Sequence, residues 1–122
     1  MTFDEYIGLQ HSELEGGSTA TVEIEPHHCN PTGNINGGVI ISLADNIATG
    51  AAGRGFFEKF GEHKFMVGVD LHATMLSNQI GGRIRGEARP VRVGRRVTFV
   101  KTQVFGDDDK LLAEITTTHV PT

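Results

Sequence analysis

Between Ser18 and Glu25 apolar and polar positions alternate, with Ala20, Val22 and Ile24 on one side and Thr21, Glu23 and Glu25 on the other. A period of two is that of a half-buried strand, and Pro26 closes it. Asn30-Pro31-Thr32-Gly33-Asn34 is turn chemistry. From Gly38 the period lengthens. At about 100° per residue, Ile40, Leu43, Ala44, Ile47, Ala48 and Ala51 cover one broad side, and Ile41 and Ala52 extend it. Ser42, Asn46 and Thr49 mark the narrower polar side. So wide an apolar arc predicts a helix enfolded by a sheet, fading at Gly53, Gly55 and Gly61, with Phe56, Phe57 and Phe60 as apolar plugs.

The second half reads as strands. Phe65, Val67, Val69, Leu71, Ala73 and Met75 alternate without interruption, which predicts a long central strand. Gly81-Gly82 turns the chain, and Arg83 to Val93 forms another strand with a bulge or an edge at Pro90. Gly94 leads into Val97 to Phe105, and Gly106-Asp107-Asp108-Asp109 connects to Leu111 to Val120. The three aspartates lack the remaining ligands of a calcium loop and read as a turn. The expected class is α+β: a strand or hairpin, one long helix, then a four-strand antiparallel meander curled around it, all in a single domain over 1–122.

Composition narrows the possibilities. The 122 residues, 38% hydrophobic and 21% charged, make one ordinary globular domain. A domain this small leaves little interior for a self-contained pocket, so function is easier to build between subunits. Cys29 is the one cysteine, so neither an intrachain disulfide nor a cysteine-rich metal site can form, and the thiol reads as a small packed group. No apolar run reaches the roughly 18 residues of a membrane span, and no basic-plus-apolar signal opens the chain. We therefore expect a soluble protein of a reducing cytoplasm that engages neither membrane nor nucleic acid.

The net charge of −4 is unevenly spread. Arg83, Arg85, Arg89, Arg92, Arg95, Arg96 and Lys101 supply seven of the eleven basic residues, opposed within their own stretch by Glu87 alone. Such a cluster is either a solvated strand face or a grip on a phosphorylated small molecule. His27 and His28, adjacent on an extended segment, would point to opposite sides, and His11, His63, His72 and His119 form no ligand motif. No metal site is expected.

The informative stretch is Asn30 to Gly38, which runs straight into the helix with Asp45 two turns on. Two glycines at a helix start let another group approach free backbone N–H groups, with the positive end of the helix dipole behind them. That arrangement polarises a carbonyl or takes up oxyanion charge. Asp45 lies at the border of the apolar arc with no Lys or Arg three or four residues away. It is either a solvated carboxylate or a group that attacks a carbonyl or activates water, and Thr49 one turn later could donate to it or place a water.

Asn30-Pro31-x-Gly33-x-x-Asn36-Gly37-Gly38, followed by Leu43-x-Asp45, resembles the signature of the PaaI-like acyl-CoA thioesterases of the hot-dog fold. Their pattern is Asn-x-x-Gly-x-x-His-Gly-Gly with an Asp seven residues after the last Gly. The similarity continues through Val67-Gly68-Val69-Asp70-Leu71, Val93-Gly94-Arg95-Arg96-Val97 and the final strand. It implies a long central helix wrapped by a curved antiparallel sheet, and hydrolysis of an acyl- or aryl-CoA thioester to free acid and CoA. It further implies that the Gly37 N–H polarises the thioester carbonyl, that Asn30 orients at the same spot, and that Asp45 is nucleophile or general base. Asp45 would come from the partner subunit of a homodimer, two such dimers forming a tetramer. Arg92, Val93, Gly94, Arg95, Arg96 and Val97 correspond to the family's contact segment for the CoA nucleotide, and Gly38, Gly68 and Met75 fall on the substrate side. No cofactor is implied, since the CoA thioester is itself the substrate.

Two departures stand out. The family's His is Asn36 here, which hydrogen-bonds but cannot titrate near neutrality; an orienting role survives. Gly68 stands where some relatives carry a Ser that holds the attacking water. Two other readings remain open: a hot-dog hydratase or dehydratase using His27 or His28 with Asp45, and a non-catalytic acyl-CoA-binding module. The length of the acyl pocket would depend on residues such as Phe56, Phe57, Phe60 and Met75.

Overall fold

In the computed structural model, which describes residues 1–122, the chain forms eight elements. They are α1 (Phe3–Ile7), β1 (Gln10–Ser12), β2 (Ser18–Glu23), α2 (Gly37–Phe60), β3 (Met66–Met75), β4 (Arg83–Val93), β5 (Thr98–Phe105) and β6 (Leu111–Pro121). Helix α2 organises the rest. Asn36 caps its start, Gly61 ends it in the left-handed conformation, and its 24 residues give a rod of about 36 Å. Ile40, Leu43, Ala44, Ile47, Ala48, Ala51, Ala52 and Phe56 are buried along it, the arc that the spacing predicts. The helix lies against β2, β3, β4, β5 and β6, and each large side chain buried there contributes about 1.5–3 kcal/mol.

The expected fading at Gly53 and Gly55 does not occur. The helix runs through both, because packing overrides the low helix propensity of glycine. A Cβ at Gly55 would meet Val93 Cγ2 at 3.0 Å and Pro90 Cγ at 3.1 Å, so the missing side chain lets the helix settle on β4. On the strand side Gly86 does the same, since a Cβ there would lie 2.6 Å from Ile47 Cδ1.

All strand pairings are antiparallel, in the order β1-β2-β4-β5-β6-β3. The meander is thus three-stranded, β4 to β6, and β3 pairs with β6 at the far margin. The expectation of a central β3 is overturned: it is an edge strand, and Val67, Val69, Leu71 and Met75 are all substantially exposed. Its unbroken apolar alternation also hides a change of face. The register shifts between Gly68 and Asp70, so Gly68 opposes His119 while Leu71, Ala73 and Met75 oppose Thr117, Ile115 and Ala113. Gly68 and Leu71 therefore share the helix-facing side although they are three residues apart. The bulge expected in β4 is present between Pro90 and Arg92. Strands β1 and β2 form the hairpin expected as one alternative before the long helix, while helix α1 has no counterpart in the sequence reading. Thr2 and Glu5 form a reciprocal capping box around the start of α1.

Candidate active site

The loop before α2 is held by its own side chains. Asn30 Oδ1 accepts from the Thr32 N–H at 3.0 Å and the Thr32 hydroxyl at 2.6 Å, and the Asn30 N–H donates to the Asn34 carbonyl. Asn78 clamps the next turn: its Oδ1 accepts from Ile35 N–H and its Nδ2 donates to the Ile35 carbonyl at 2.9 Å. Sequence reading missed Asn78, which has no local signature because its partner is 43 residues away.

Asn36 is the N-cap. Its Oδ1 accepts from Gly38 N–H at 2.7 Å, which commits the amide oxygen to the helix and withdraws the Gly38 donor from any ligand. Gly37 differs. As first residue of the helix it has no intrahelical acceptor, and its N–H takes no other partner. A Cβ at Gly37 would meet Met75 Cε at 3.5 Å, so the helix start and Met75 lie together. Phe56, Phe57 and Phe60 do not join them. Phe56 is buried against Phe60, and Phe57 stacks on His63, all at the opposite end of the helix. The side of the start is instead lined by Phe3, Tyr6, Ile7 and Val39, around a cavity of about 280 Å³ that also touches His27, His28 and Asn36.

His27 and His28 correct another expectation. Pro26 fixes the first φ of a single 3₁₀ turn over Pro26–His28, so the two rings lie on the same side with centroids 4.1 Å apart. His28 Nδ1 accepts from Glu25 N–H. Burial, then the neighbouring His27 charge, lowers its proton affinity, against the opposing pull of the Ile7 backbone and Glu25.

Asp45 is exposed on α2 and faces β3, where a Cβ at Gly68 would meet its Oδ1 at 3.7 Å. Thr49 does not serve the carboxylate: its hydroxyl donates to the Asp45 backbone carbonyl at 3.0 Å, the common i−4 bond of a helical threonine. The group that does border Asp45 is His119, whose ring lies 3.7 Å from the same Gly68 position. Sequence reading passed over it. The available signal was the alternation Ala113, Ile115, Thr117, His119, which carries a histidine onto the buried face of β6. Burial lowers the His119 proton affinity below its ordinary value of 6.5, partly offset by the Asp45 charge.

The basic stretch divides in two. Arg83 pairs with Glu23, Arg85 with Glu87 and Asp109, Arg89 with Glu87, and Lys101 with Glu114. Glu87 within the stretch serves two arginines, and β2, β6 and the turn after β5 supply the other carboxylates. Arg92, Arg95 and Arg96 have no carboxylate partner and are exposed around the Gly94 turn, where Gly94 N–H donates to the Val97 carbonyl. The Arg95 guanidinium lies 4.4 Å from the Phe60 ring centroid, held over the C-terminal end of α2.

Comparison with known proteins places this geometry. Residues 32–113 match the family model described as the Thioesterase superfamily. A Mycobacterium tuberculosis protein named provisionally as an esterase is 30% identical over 91% of this chain and 79% of its own length. Its structure superposes with a TM-score of 0.90 over 98% of this chain and 95% of that one, at 26% identity. The Escherichia coli 1,4-dihydroxy-2-naphthoyl-CoA hydrolase is 28% identical over 75% of this chain and 65% of its own. The resemblance to the hot-dog thioesterases is thereby met in fold and superfamily. No helix is long and apolar enough to cross a membrane. On that family match and the 30%-identical relative, the chain belongs to the Thioesterase superfamily and is a hot-dog-fold thioester hydrolase.

Proposed function

We propose that the substrate is an acyl-CoA or aryl-CoA thioester and that one active site is built from two copies of the chain. The observation that carries this reading is the spacing along α2. Gly37 offers the free N–H and Asp45 the free carboxylate, but eight residues at 1.5 Å rise separate them by about 12 Å. That is too far for both to act on one carbonyl carbon within a chain. A second copy brings its Asp45 to the first copy's Gly37. The exposed apolar edge of β3, which carries Gly68 and Met75, supports association, since such an edge is rarely left bare.

In the reaction, the Gly37 N–H donates to the carbonyl oxygen and takes up charge as it becomes an oxyanion. Either Asp45 removes a proton from water as the water oxygen bonds to the carbonyl carbon, or Asp45 attacks that carbon and water then hydrolyses the anhydride. On both routes the carbon–sulfur bond breaks and the thiolate leaves as CoA after protonation. Asn30 and Asn36 hold the loop and helix start in place, and no cofactor takes part. Arg92, Arg95 and Arg96, the arginines without carboxylate partners, bind the CoA phosphates. We place the protein in the cytoplasm, as a homodimer assembled further into a tetramer.

The hydratase alternative needs His27 or His28 beside Asp45, and both border the cavity near Phe3 and Tyr6 at the helix start. A panel of aryl-, short- and long-acyl-CoA substrates separates the readings. Release of free thiol is the expected outcome; a change in enoyl absorbance without thiol would point to hydration, and binding without either product to a carrier module.

A further inference from the structure

His119 is fully buried, and its Nε2 lies 2.8 Å from the Thr117 hydroxyl. Its Nδ1 has no hydrogen-bond partner. A buried ring nitrogen without a partner is uncommon enough to require a reason. This one lies where β3 carries no side chain: a Cβ at Gly68 would be 3.7 Å from His119 Nδ1 and 3.7 Å from Asp45 Oδ1. The strand pairing makes the juxtaposition, because the register puts Gly68 opposite His119 before the bulge shifts the rest of β3.

The ring's protonation follows from its neighbours. Burial keeps the imidazole neutral at pH 7, so it carries one proton. Beside a carboxylate an N–H is attracted and a bare ring nitrogen repelled. The proton therefore belongs on Nδ1, with the Thr117 hydroxyl donating to Nε2.

We propose that His119 is a positioning residue for Asp45, its Nδ1–H fixing carboxylate Oδ1 over the side-chain-free patch at Gly68 when substrate is bound. Hydrogen bonds of this kind are commonly long in the free enzyme and tighten in the complex. Asn36, which occupies the family's histidine position, cannot titrate; His119 places an imidazole beside Asp45 from β6. The inference rests on the reading of Asp45 as the reacting group.

Two substitutions distinguish the ring nitrogens. The amide of His119→Asn reaches the Nδ1 position, and that of His119→Gln reaches the Nε2 position. His119→Gln is expected to lower kcat about tenfold or more with KM nearly unchanged, while His119→Asn keeps most of the activity. Equal losses in both variants, a loss confined to KM, or no loss in either would overturn the proposal. Ring ¹⁵N shifts of the unsubstituted protein supply a test that survives any misfolding of the variants. The Nδ1–H tautomer is expected, and the Nε2–H tautomer would contradict it. Asp45→Asn separates the two levels. If it is inactive while His119→Gln is normal, only the role of His119 falls. If Asp45→Asn is itself active, the assignment of Asp45 falls and takes His119 with it.

Discussion

The start of α2 and the patch where Asp45 meets β3 are both rich in polar groups, yet they use them differently. At the helix start nearly everything is spent on structure: Asn30 on Thr32, Asn36 on Gly38, Asn78 on Ile35. One backbone donor, that of Gly37, is left over. Around Asp45 the balance reverses, for the carboxylate has no hydrogen-bond partner and His119 Nδ1 none either, while Thr49 turns away to the backbone. The first region is a hydrogen-bonded frame that presents one free backbone N–H, and the second holds groups ready to react. Chemistry is sought where polarity is unspent.

The largest expected effect breaks the second region. Asp45→Asn keeps the shape and removes the charge, and should lower kcat by roughly 10²-fold or more, the range for a positioned base. Thermal unfolding should barely move, because the side chain is exposed and unpaired. A near-normal rate would return Asp45 to the status of a solvated surface carboxylate.

The same contrast between spent and unspent groups runs from β4 into the Gly94 turn. Replacing Arg95 and Arg96 by Ala should raise KM for acyl-CoA about tenfold, in a salt-sensitive way, with kcat little changed. A truncated acyl-pantetheine thioester, lacking the nucleotide phosphates, should be almost unaffected. Equal losses on both substrates would show that these arginines support the fold instead.

Smaller effects sharpen the first region. Asn36→Ala should cost about 1 kcal/mol of stability through the lost cap, measured by denaturant unfolding. Asn36→Asp keeps the cap but sets a negative charge beside the developing oxyanion, so stability should hold while kcat falls. If Asp tracks Ala in both measurements, capping is not what Asn36 does.

Proton linkage gives a gentler test. His28 and His119 hold protons less readily in the folded chain than at the ordinary value of 6.5. Below about pH 6.5 the unfolded chain therefore gains protons that the native one does not, and stability falls as pH drops toward 5. Melting temperature should decline over that window, and His119→Gln should flatten the slope. An unchanged slope would mean that His119 is not buried as described.

What could be read from residues alone follows the same division. Local periodicity locates α2, β2 and the meander, because each is specified by neighbours within a few positions. The Gly-Gly start and Asp45 stand out for the same reason. β3 misleads, since its apolar alternation says that it is covered but not by what, and a one-residue bulge at Val69 changes the face of everything after it. His119 is legible only through the β3–β6 register, and the pairing of Arg83 with Glu23 and of Lys101 with Glu114 only through adjacent strands. The partners of Thr49 and Gly38 are not legible from spacing either: the backbone and the cap, one turn or less away, take the Thr49 hydroxyl and the Gly38 N–H.

The central claim, that Gly37 of one chain works with Asp45 of another, is tested most directly by subunit mixing. Asp45→Asn protomers keep a sound helix start, and Gly37→Val protomers keep a sound carboxylate while a bulky group blocks the N–H. Each alone should be inactive. After complete exchange, half the dimers are hybrids with one intact site in two, so thiol release should recover to about a quarter of the unsubstituted rate. Activity that stays at the sum of the separate variants, with exchange shown by mass spectrometry, would contradict a site shared between chains.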